Sequence, residues 1–330
     1  MADSRPWGEW AAEAWQDLAA ASRQALPVRG ARVHEPGKVR VVPAWPLSQV
    51  LHAAVLVDAA GIPAGHYAPD LVWLSFRRYR KADGFGDFPI VGRRYYDDNA
   101  WIGLACAQRA LLTDDPINRP WLRRAEASLR FVSQGVRRGG VLWVEGGRNL
   151  HACSTGSTGL LAAAVGRVEN GRPRPLALSA GEFIDTELIN PDGLVADSVT
   201  PEGTIDRAEF TYNQGLGIQL RIERHLLDAA ADLAEATARE FPRDRFWEHP
   251  PAFNAIHCRA LLRLDAIRGE QRWRPFVTDY AERLWLGARD DRGLFSRAGR
   301  YDKGYVLDHA AATGLLAALA LPPEEHRRLL

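Results

Sequence analysis

Two consecutive carboxylates, Asp97 and Asp98, lie between aromatic residues at the point where a helical pattern of apolar residues begins. Aspartate is favoured at helix N-termini, because its oxygens accept hydrogen bonds from free backbone N–H groups and the helix dipole stabilises negative charge. A solvated helix cap needs only one carboxylate, so the second one predicts a chemical role. Repulsion and partial burial should separate the two pKa values and leave one acid beside one base. Glycoside hydrolysis uses such a pair.

Aromatic and amide side chains near predicted turns are candidates for sugar contacts. Trp143 follows a Gly-Gly turn, and a flat indole face suits the C–H surface of a pyranose ring. Trp101 is a candidate for the same role. Tyr212, Asn213 and Gln214 open another predicted helix, and amides both donate and accept hydrogen bonds, as sugar hydroxyls require. The alternatives are core packing for the aromatic residues and helix capping for the amides.

The composition excludes several classes of partner. The chain has 330 residues, and its 42 basic and 41 acidic residues give a net charge of +1. Such a balance does not favour nucleic acid or an anionic membrane surface. No apolar run reaches the roughly 18 residues of a membrane-spanning helix. The N-terminus has no apolar leader, which predicts a cytoplasmic protein unless the sequence was trimmed or export follows another route.

The cysteines provide no framework for a disulfide scaffold or a metal site. Cys106, Cys153 and Cys258 are odd in number and follow no close-spaced motif. Cys258 stands beside His257, but this spacing matches no common zinc motif, so a buried thiol is expected. Glycoside hydrolysis by a pair of carboxyl groups also requires no metal and no organic cofactor, so neither is expected.

Helical periodicity dominates the chain. Apolar residues recur at spacings of three and four in segments near residues 6–26, 45–61, 69–81, 97–112, 119–137, 149–167, 177–190, 212–240, 251–269, 272–288 and 304–320. Short strand-like runs at Val39–Val42 and Val141–Val144 predict loop hairpins on this helical body. No linker or repeat consensus is visible, so residues 1–330 are expected to form one domain. Helices in antiparallel pairs predict an all-α fold, an (α/α)6 barrel with loops gathered around a central pit.

Four segments form a more specific pattern. Residues 96–101 read Tyr-Asp-Asp-Asn-Ala-Trp, and residues 210–215 read Phe-Thr-Tyr-Asn-Gln-Gly. Residues 45–49 contain an early Trp-centred segment, and residues 139–149 contain Gly-Gly-Val-Leu-Trp followed by Arg-Asn. Together, in order and spacing from residue 45 to residue 316, they resemble glycoside hydrolase family 76, the endo-α-1,6-mannanases.

The resemblance implies a retaining glycosidase that cleaves α-1,6-linked mannan, an oligo- or polysaccharide substrate. By the family pattern, Asp97 is the nucleophile and Asp98 is the acid/base. The resemblance and the side-chain types together predict these substrate-binding residues: Tyr96, Trp101, Trp143, Arg148, Asn149, Asp197, Tyr212, Asn213 and Gln214. Asp206 is the alternative to Asp197.

Two departures from the family pattern lie near the predicted sugar contacts. Leu142 precedes Trp143 and Val144 follows it, so the second Trp of the Gly-Gly-Val-Trp-Trp stretch is not retained in register. The basic residue before Asn149 is Arg148 instead of Lys. Such changes can alter sugar contacts without touching the catalytic pair.

Three other functions stay open on the residues alone. A sugar isomerase or epimerase on a similar helical toroid would need a proton-transfer pair, for which His257 and His309 are candidates. A glycan-binding protein that has lost hydrolysis would keep the sugar contacts. An unsaturated uronyl hydrolase would place a basic residue against a uronate carboxylate, and Arg148 is the candidate.

Overall fold

Helices make up most of the described chain. The computed structural model describes residues 5–22, 41–113, 118–295 and 305–330. The helices are α1 (Trp7–Ser22), α2 (Ala44–Ala59), α3 (Ala68–Ser75), α4 (Tyr96–Leu112), α5 (Arg119–Ser133), α6 (Ala152–Asn170), α7 (Pro175–Glu187), α8 (Thr211–Glu223), α9 (Leu227–Glu240), α10 (Arg243–Trp247), α11 (Pro251–Arg268), α12 (Arg274–Gly287) and α13 (Tyr305–Ala320). The predicted segment 212–240 is divided into α8 and α9, because His225 has a left-handed backbone with a φ of 59° that ends the helix.

Within the described residues, six helices form a closed inner ring. In order around the ring they are α2, α4, α6, α8, α11 and α13, each packed against the next, and α13 packs against α2. They are buried on nearly all sides, and α2, α6 and α13 are rich in alanine, leucine or valine. A helix that is apolar all round is stable only when it is enclosed. None of the described helices has the length and apolar character to cross a membrane.

A second layer of helices covers the inner ring. The pairs α2–α3, α4–α5, α6–α7, α8–α9 and α11–α12 pack together, and α1 packs on α13. The outer helix α5 is amphipathic: it buries Trp121, Leu129 and Phe131 and exposes Arg123 and Arg130. This repeated pairing of an inner with an outer helix confirms the predicted (α/α)6 barrel.

Two glycines allow neighbouring helices of the inner ring to approach closely. A Cβ on Gly156 of α6 would lie 2.8 Å from Cβ of Leu216 in α8. A Cβ on Gly215 of α8 would lie 2.8 Å from Cα of His257 in α11. Any larger residue would push these helices apart, because the interior is already close-packed. Gly215, the residue that ends the Thr-Tyr-Asn-Gln-Gly segment, therefore allows α8 and α11 to pack closely.

Small antiparallel sheets form in the segments between the helices. They pair β1 (Arg80–Lys81) with β2 (Gly84–Phe85), β3 (Val136–Arg137) with β4 (Gly140–Val141), and β6 (Ala196–Val199) with both β5 (Leu150–His151) and β7 (Ile205–Glu209). The run Val141–Val144 was expected to form a hairpin, and Val141 does so with Val136. The sheet of β5, β6 and β7 was not predicted, because its strands are too short to show alternation. Residues 39 and 40 of the other predicted run lie outside the described residues.

Charged side chains are enclosed between α6, α8 and α11. Arg263 donates from Nη2 to Glu223 Oε1 at 2.5 Å and from Nη1 to Gln219 Oε1 at 2.5 Å. The side chains of Arg263 and Glu223 are each 3% exposed. Arg167 reaches Glu223 less closely, at 3.5 Å. Loss of one partner from such a pair leaves a buried charge poorly compensated, which is strongly destabilising.

We expect Arg263→Met to lower the free energy of unfolding by about 3 kcal/mol, because Glu223 then keeps only the weaker contact with Arg167. Scanning calorimetry should record this as a lower Tm. The matched control is Arg272→Met, since Arg272 pairs with Glu235 at 3.0 Å on the surface. The control should lower the free energy of unfolding by less than about 1 kcal/mol. Equal effects of the two changes would show that burial of the pair does not matter.

Candidate active site

All helices of the inner ring begin around one cavity, with a volume of about 760 Å³. Near their starts they line it, in chain order, with Trp45, Asp97, Asp98, Trp101, Cys153, Tyr212, Phe253 and Leu307. The segments between helices add Asp87, Phe88, Tyr95, Trp143, His151, Asp197 and Phe210. Helix N-termini carry partial positive charge and free N–H groups. Their convergence therefore favours anionic side chains in this cavity, whose size suits a small ligand or a few sugar units.

Asp97 and Asp98 are the second and third residues of α4, and both face the cavity. The N-cap residue is Tyr95, so neither aspartate is the terminal cap of the helix. Trp143 donates from Nε1 to Asp97 Oδ2 at 3.0 Å. Cys153 Sγ lies 3.7 Å from the same oxygen. The structure therefore brings both aspartates together with Trp143, although these residues are far apart in sequence.

Burial is the main cause of the shifted pKa values of both carboxyl groups. It raises the pKa of Asp97 to about 6, while the hydrogen bond from Trp143 and the nearby backbone N–H groups of residues 97 and 98 act to lower it. Burial also raises the pKa of Asp98 well above its usual value, and repulsion from Asp97 and Asp87 raises it further. Asp97 therefore ionises first while Asp98 keeps its proton. A nucleophile beside a general acid requires this order.

Two extended segments place Trp143 beside the start of α4. Tyr96 N donates to the Trp143 carbonyl at 2.8 Å, and Glu145 N donates to the Arg94 carbonyl at 3.0 Å. The Arg94 side chain also donates from Nε to Glu145 Oε2 at 2.9 Å. The position of the indole over Asp97 therefore follows from backbone pairing within the protein and needs no bound ligand.

Asp197 faces the cavity from β6, and two side chains hold its carboxyl group. His151 Nδ1 is 3.5 Å from Asp197 Oδ2, and Asn213 Nδ2 donates to Oδ1 at 3.4 Å. His151 lies opposite Ser198 in the β5–β6 pairing, and its ring centroid is 5.5 Å from that of Trp143. His151 was not predicted, because a lone histidine on a two-residue strand carries no periodic signal. The structure shows it only through strand pairing.

Most of the Thr-Tyr-Asn-Gln-Gly segment supports the cavity from behind. Tyr212 lines the cavity, whereas Gln214 is fully buried. Gln214 accepts a hydrogen bond from Val195 N at 2.7 Å and donates to the Val195 carbonyl at 2.9 Å. These bonds fix the strand that carries Asp197. Asn213, also buried, acts on the cavity through Asp197.

Besides Asn213 and Gln214, three further predicted sugar contacts lie away from the cavity wall. Tyr96 is buried, and its ring stacks on Phe131 with centroids 5.2 Å apart. The Arg148 side chain is 74% exposed and pairs with Glu202 at 2.8 Å. Asn149 follows it and does not line the cavity formed by the described residues. The predicted residues that do line it are Asp97, Asp98, Trp101, Trp143, Asp197 and Tyr212.

The histidines that an isomerase would use are enclosed in the protein. His257 is 2% exposed and His309 is fully buried. His309 accepts a hydrogen bond at Nδ1 from Phe295 N at 2.9 Å, and its Nε2 lies 2.6 Å from the Ala14 carbonyl. Burial lowers the pKa of His257 to about 3 and that of His309 to about 4. In the described part of the chain, neither ring lines the cavity.

Part of the sequence also matches a known protein family. The model of glycosyl hydrolase family 76 matches residues 83–237, the segment that carries the aspartate pair, Trp143 and Asp197. The resemblance to glycoside hydrolase family 76 is confirmed. This match supports the prediction that the chain is a glycoside hydrolase. No curated protein matches the chain in sequence.

Solved structures of family 76 enzymes share the barrel. A family 76 glycoside hydrolase from a bovine Bacteroides thetaiotaomicron strain has a TM-score of 0.84 at 21% identity, covering 96% of this chain and 78% of that one. The α-1,6-mannanase of Salegentibacter sp. HEL1_6 has a TM-score of 0.74 at 19% identity, covering 95% and 99%. An inactive variant of that mannanase, with two consecutive aspartates replaced by asparagine, has been solved with α-1,6-mannotriose.

The same fold also carries another reaction. A D-mannose isomerase has a TM-score of 0.70 at 13% identity, covering 96% of this chain and 99% of that one. These identities show a shared architecture. The reaction must therefore be argued from the residues that line the cavity.

The raised pKa of Asp98 should reduce stability at neutral pH. The unfolded chain ionises this group first, so stability falls as pH rises from the usual carboxyl pKa towards the folded one. Asp98→Asn removes this effect while keeping the shape. We expect a gain of about 0.5–2 kcal/mol at pH 7, and a much smaller gain near pH 4 where the unfolded group is itself half protonated.

Calorimetry of the variant and the wild type at both pH values checks this prediction. The control is Asp232→Asn, because Asp232 is exposed on α9 and should respond little at either pH. An unchanged or lower Tm for Asp98→Asn at pH 7, in a folded protein, would contradict the raised proton affinity of Asp98.

Proposed function

We propose that this protein is a retaining glycoside hydrolase that cleaves α-1,6-linked mannosides in mannan-type oligo- or polysaccharides. The observation that carries the proposal is the pair of Asp97 and Asp98 in one cavity, with Asp98 the weaker acid. The family match supports hydrolysis of glycosides. The substrate class rests on likeness: the Salegentibacter variant that lacks two consecutive aspartates is inactive and was solved with α-1,6-mannotriose.

In the first step, the Asp97 carboxylate attacks C1 of the sugar and forms an ester with it. The bond between C1 and the leaving oxygen breaks, and Asp98 gives its proton to that oxygen. The leaving sugar therefore departs as a neutral alcohol. Asp98 can supply this proton near neutral pH, because burial and the charge on Asp97 hold the proton on it until that moment.

In the second step, water attacks C1 from the side that the leaving sugar occupied. Asp98 takes a proton from the water, the new oxygen binds C1, and the bond from C1 to Asp97 breaks. Asp97 is then a carboxylate again, and Asp98 is again protonated. Two inversions at C1 give net retention of the α configuration.

The rest of the cavity wall has the character of a sugar site. The ring centroid of Tyr212 lies 4.3 Å from that of Phe253 and 5.8 Å from that of Phe210. These rings offer apolar surface for the C–H faces of sugars. Asp197, held by His151, adds an acceptor for sugar hydroxyls. A mostly apolar wall with a few fixed polar groups is typical of small-molecule sites.

The stereochemical course tests the retaining mechanism directly. We expect proton NMR to show the α-anomer as the first product from linear α-1,6-mannan, with the β-anomer appearing only as the product mutarotates. A first product in the β configuration would overturn the ester mechanism. Mannan that stays intact, while oligosaccharide binding is saturable in calorimetry, would instead indicate a glycan-binding protein.

The roles of the two aspartates are separable with azide. We expect Asp97→Ala and Asp98→Ala each to lower kcat/KM on mannan by more than about 1,000-fold, because each removes a group that acts only in the reaction. On an activated aryl α-mannoside, azide should rescue Asp98→Ala and yield the α-azide. With Asp97→Ala, azide replaces the nucleophile and should yield the β-azide.

The control is Asp206→Ala, since Asp206 is exposed on β7 and lies outside the cavity wall. It should keep nearly full activity. Full activity in either catalytic variant would refute the assignment. Azide products with the two configurations exchanged would reverse the roles of Asp97 and Asp98.

A further inference from the structure

We infer that Trp143 and Cys153 are positioning residues that hold the Asp97 carboxylate through its Oδ2 atom, so that its orientation is fixed and its charge is stabilised during the reaction. The inference rests on the proposed function, because it assigns parts within that mechanism. It also changes the expected part of Trp143, whose indole was predicted only as a surface for a sugar ring. The contacts of the two carboxylate oxygens carry the inference.

The two oxygens of Asp97 have different surroundings. Oδ2 has the Trp143 Nε1 donor at 3.0 Å and the Cys153 thiol at 3.7 Å. Oδ1 is buried, and among the described residues it has no hydrogen-bond partner. A buried acceptor without a donor is costly unless something else satisfies it. Among the described residues, the side chains that compensate the Asp97 charge by direct contact are therefore Trp143 and Cys153, both at Oδ2.

The indole donor is in place before any substrate arrives. The Trp143 carbonyl accepts from Tyr96 N at 2.8 Å, next to Asp97 in the chain. The Trp143 ring centroid lies 5.1 Å from that of Tyr95 and 5.5 Å from that of His151. The Nε1–H group is therefore fixed relative to α4. A donor fixed in advance needs no reorganisation at the moment of reaction, which is where such contacts are most effective.

The thiol of Cys153 is positioned by the first turn of α6, which also binds the segment that carries the indole. Cys153 is the second residue of α6 and is 6% exposed. Its neighbours bind the strand that leads to Trp143: Thr155 Oγ1 accepts from Val141 N at 2.9 Å, and Ser154 Oγ donates to the Val141 carbonyl at 3.0 Å. The first turn of α6 thus positions both the Cys153 thiol and the segment that carries the Trp143 indole. Burial raises the pKa of the Cys153 thiol, so it stays an S–H donor.

Holding Oδ2 serves both chemical steps. In the first step it keeps the carboxylate from rotating, so that its orientation towards C1 stays fixed. In the second step the ester breaks and negative charge returns to Asp97. Donors at Oδ2 stabilise that returning charge, and such an interaction speeds the step because it is stronger in the transition state than in the ester.

The test compares Trp143→Phe, which removes the N–H group and keeps a ring, with Cys153→Ala and Cys153→Ser. Loss of a hydrogen bond to a charged group predicts that kcat on α-1,6-mannan oligosaccharides falls about 10- to 100-fold for Trp143→Phe. The weaker sulfur contact predicts about a 3- to 10-fold fall for Cys153→Ala. Cys153→Ser keeps a donor and should recover most of this loss. KM should stay within about twofold in all three, because uniform binding is untouched.

The pH profile distinguishes positioning from general damage. The Trp143 bond lowers the pKa of Asp97 against the effect of burial. Without it, the acid limb of kcat/KM should move to higher pH by about half a unit to one unit, the size of shift that such a bond commonly produces. The matched controls are Trp285→Phe, on an outer helix against Trp10, and Cys258→Ala, buried in α11. Both should keep the wild-type kcat and acid limb.

An unchanged kcat and acid limb in Trp143→Phe would overturn the inference, and so would a loss confined to KM. A second readout does not depend on activity or on Trp143 variants folding. The infrared S–H stretch of Cys153, identified by difference against Cys153→Ala, should shift when Asp97 is changed to Ala. If the wild type does not cleave mannosides but the band shifts, the proposed function fails and the contact stands. If it cleaves them and the band does not shift, Cys153 is not a partner of Asp97.

Discussion

The burial of two adjacent carboxyl groups is the constraint on which the rest of the structure depends. A charged group away from water is costly unless donors or opposite charge compensate it. The convergence of the inner-ring helices supplies free N–H groups and partial positive charge at one cavity. Trp143 adds a directed donor to Asp97. Burial, together with the repulsion from Asp97 and Asp87, raises the pKa of Asp98 and keeps the proton on it.

The precision of the site comes from side chains that never reach the cavity. Gln214 binds both backbone groups of Val195, and Thr155 binds the backbone of Val141. In sequence Gln214 looks like a ligand for sugar hydroxyls, because an amide has the same donors and acceptors whatever it binds. Only the fold decides whether the partner is a substrate or the protein itself. Here the partner is the backbone that carries Asp197 and Trp143.

The barrel and the acidic pair were predictable from sequence for physical reasons. Long runs rich in apolar residues mark inner helices such as α2, α6 and α13, and two adjacent aspartates at a helix start are more than a cap needs. The roles of Tyr96 and Arg148 were not predictable in the same way. Tyr96 neighbours Asp97, but its ring turns away from the cavity and stacks on Phe131 of α5. Arg148 sits in a loop whose direction depends on strand pairing, and it ends against Glu202 on the surface.

The shared fold of a D-mannose isomerase shows that the barrel does not choose the reaction. In the mechanism that we propose, the reaction depends on the first turns of the inner helices, where Asp97 and Asp98 work as a cycle. While Asp97 is charged, burial and the repulsion from Asp97 keep the proton on Asp98. Once Asp97 is an ester, that repulsion is gone, and Asp98 is left ionised and able to accept a proton from water. In this proposed cycle, the acid becomes the base because its neighbour has lost its charge.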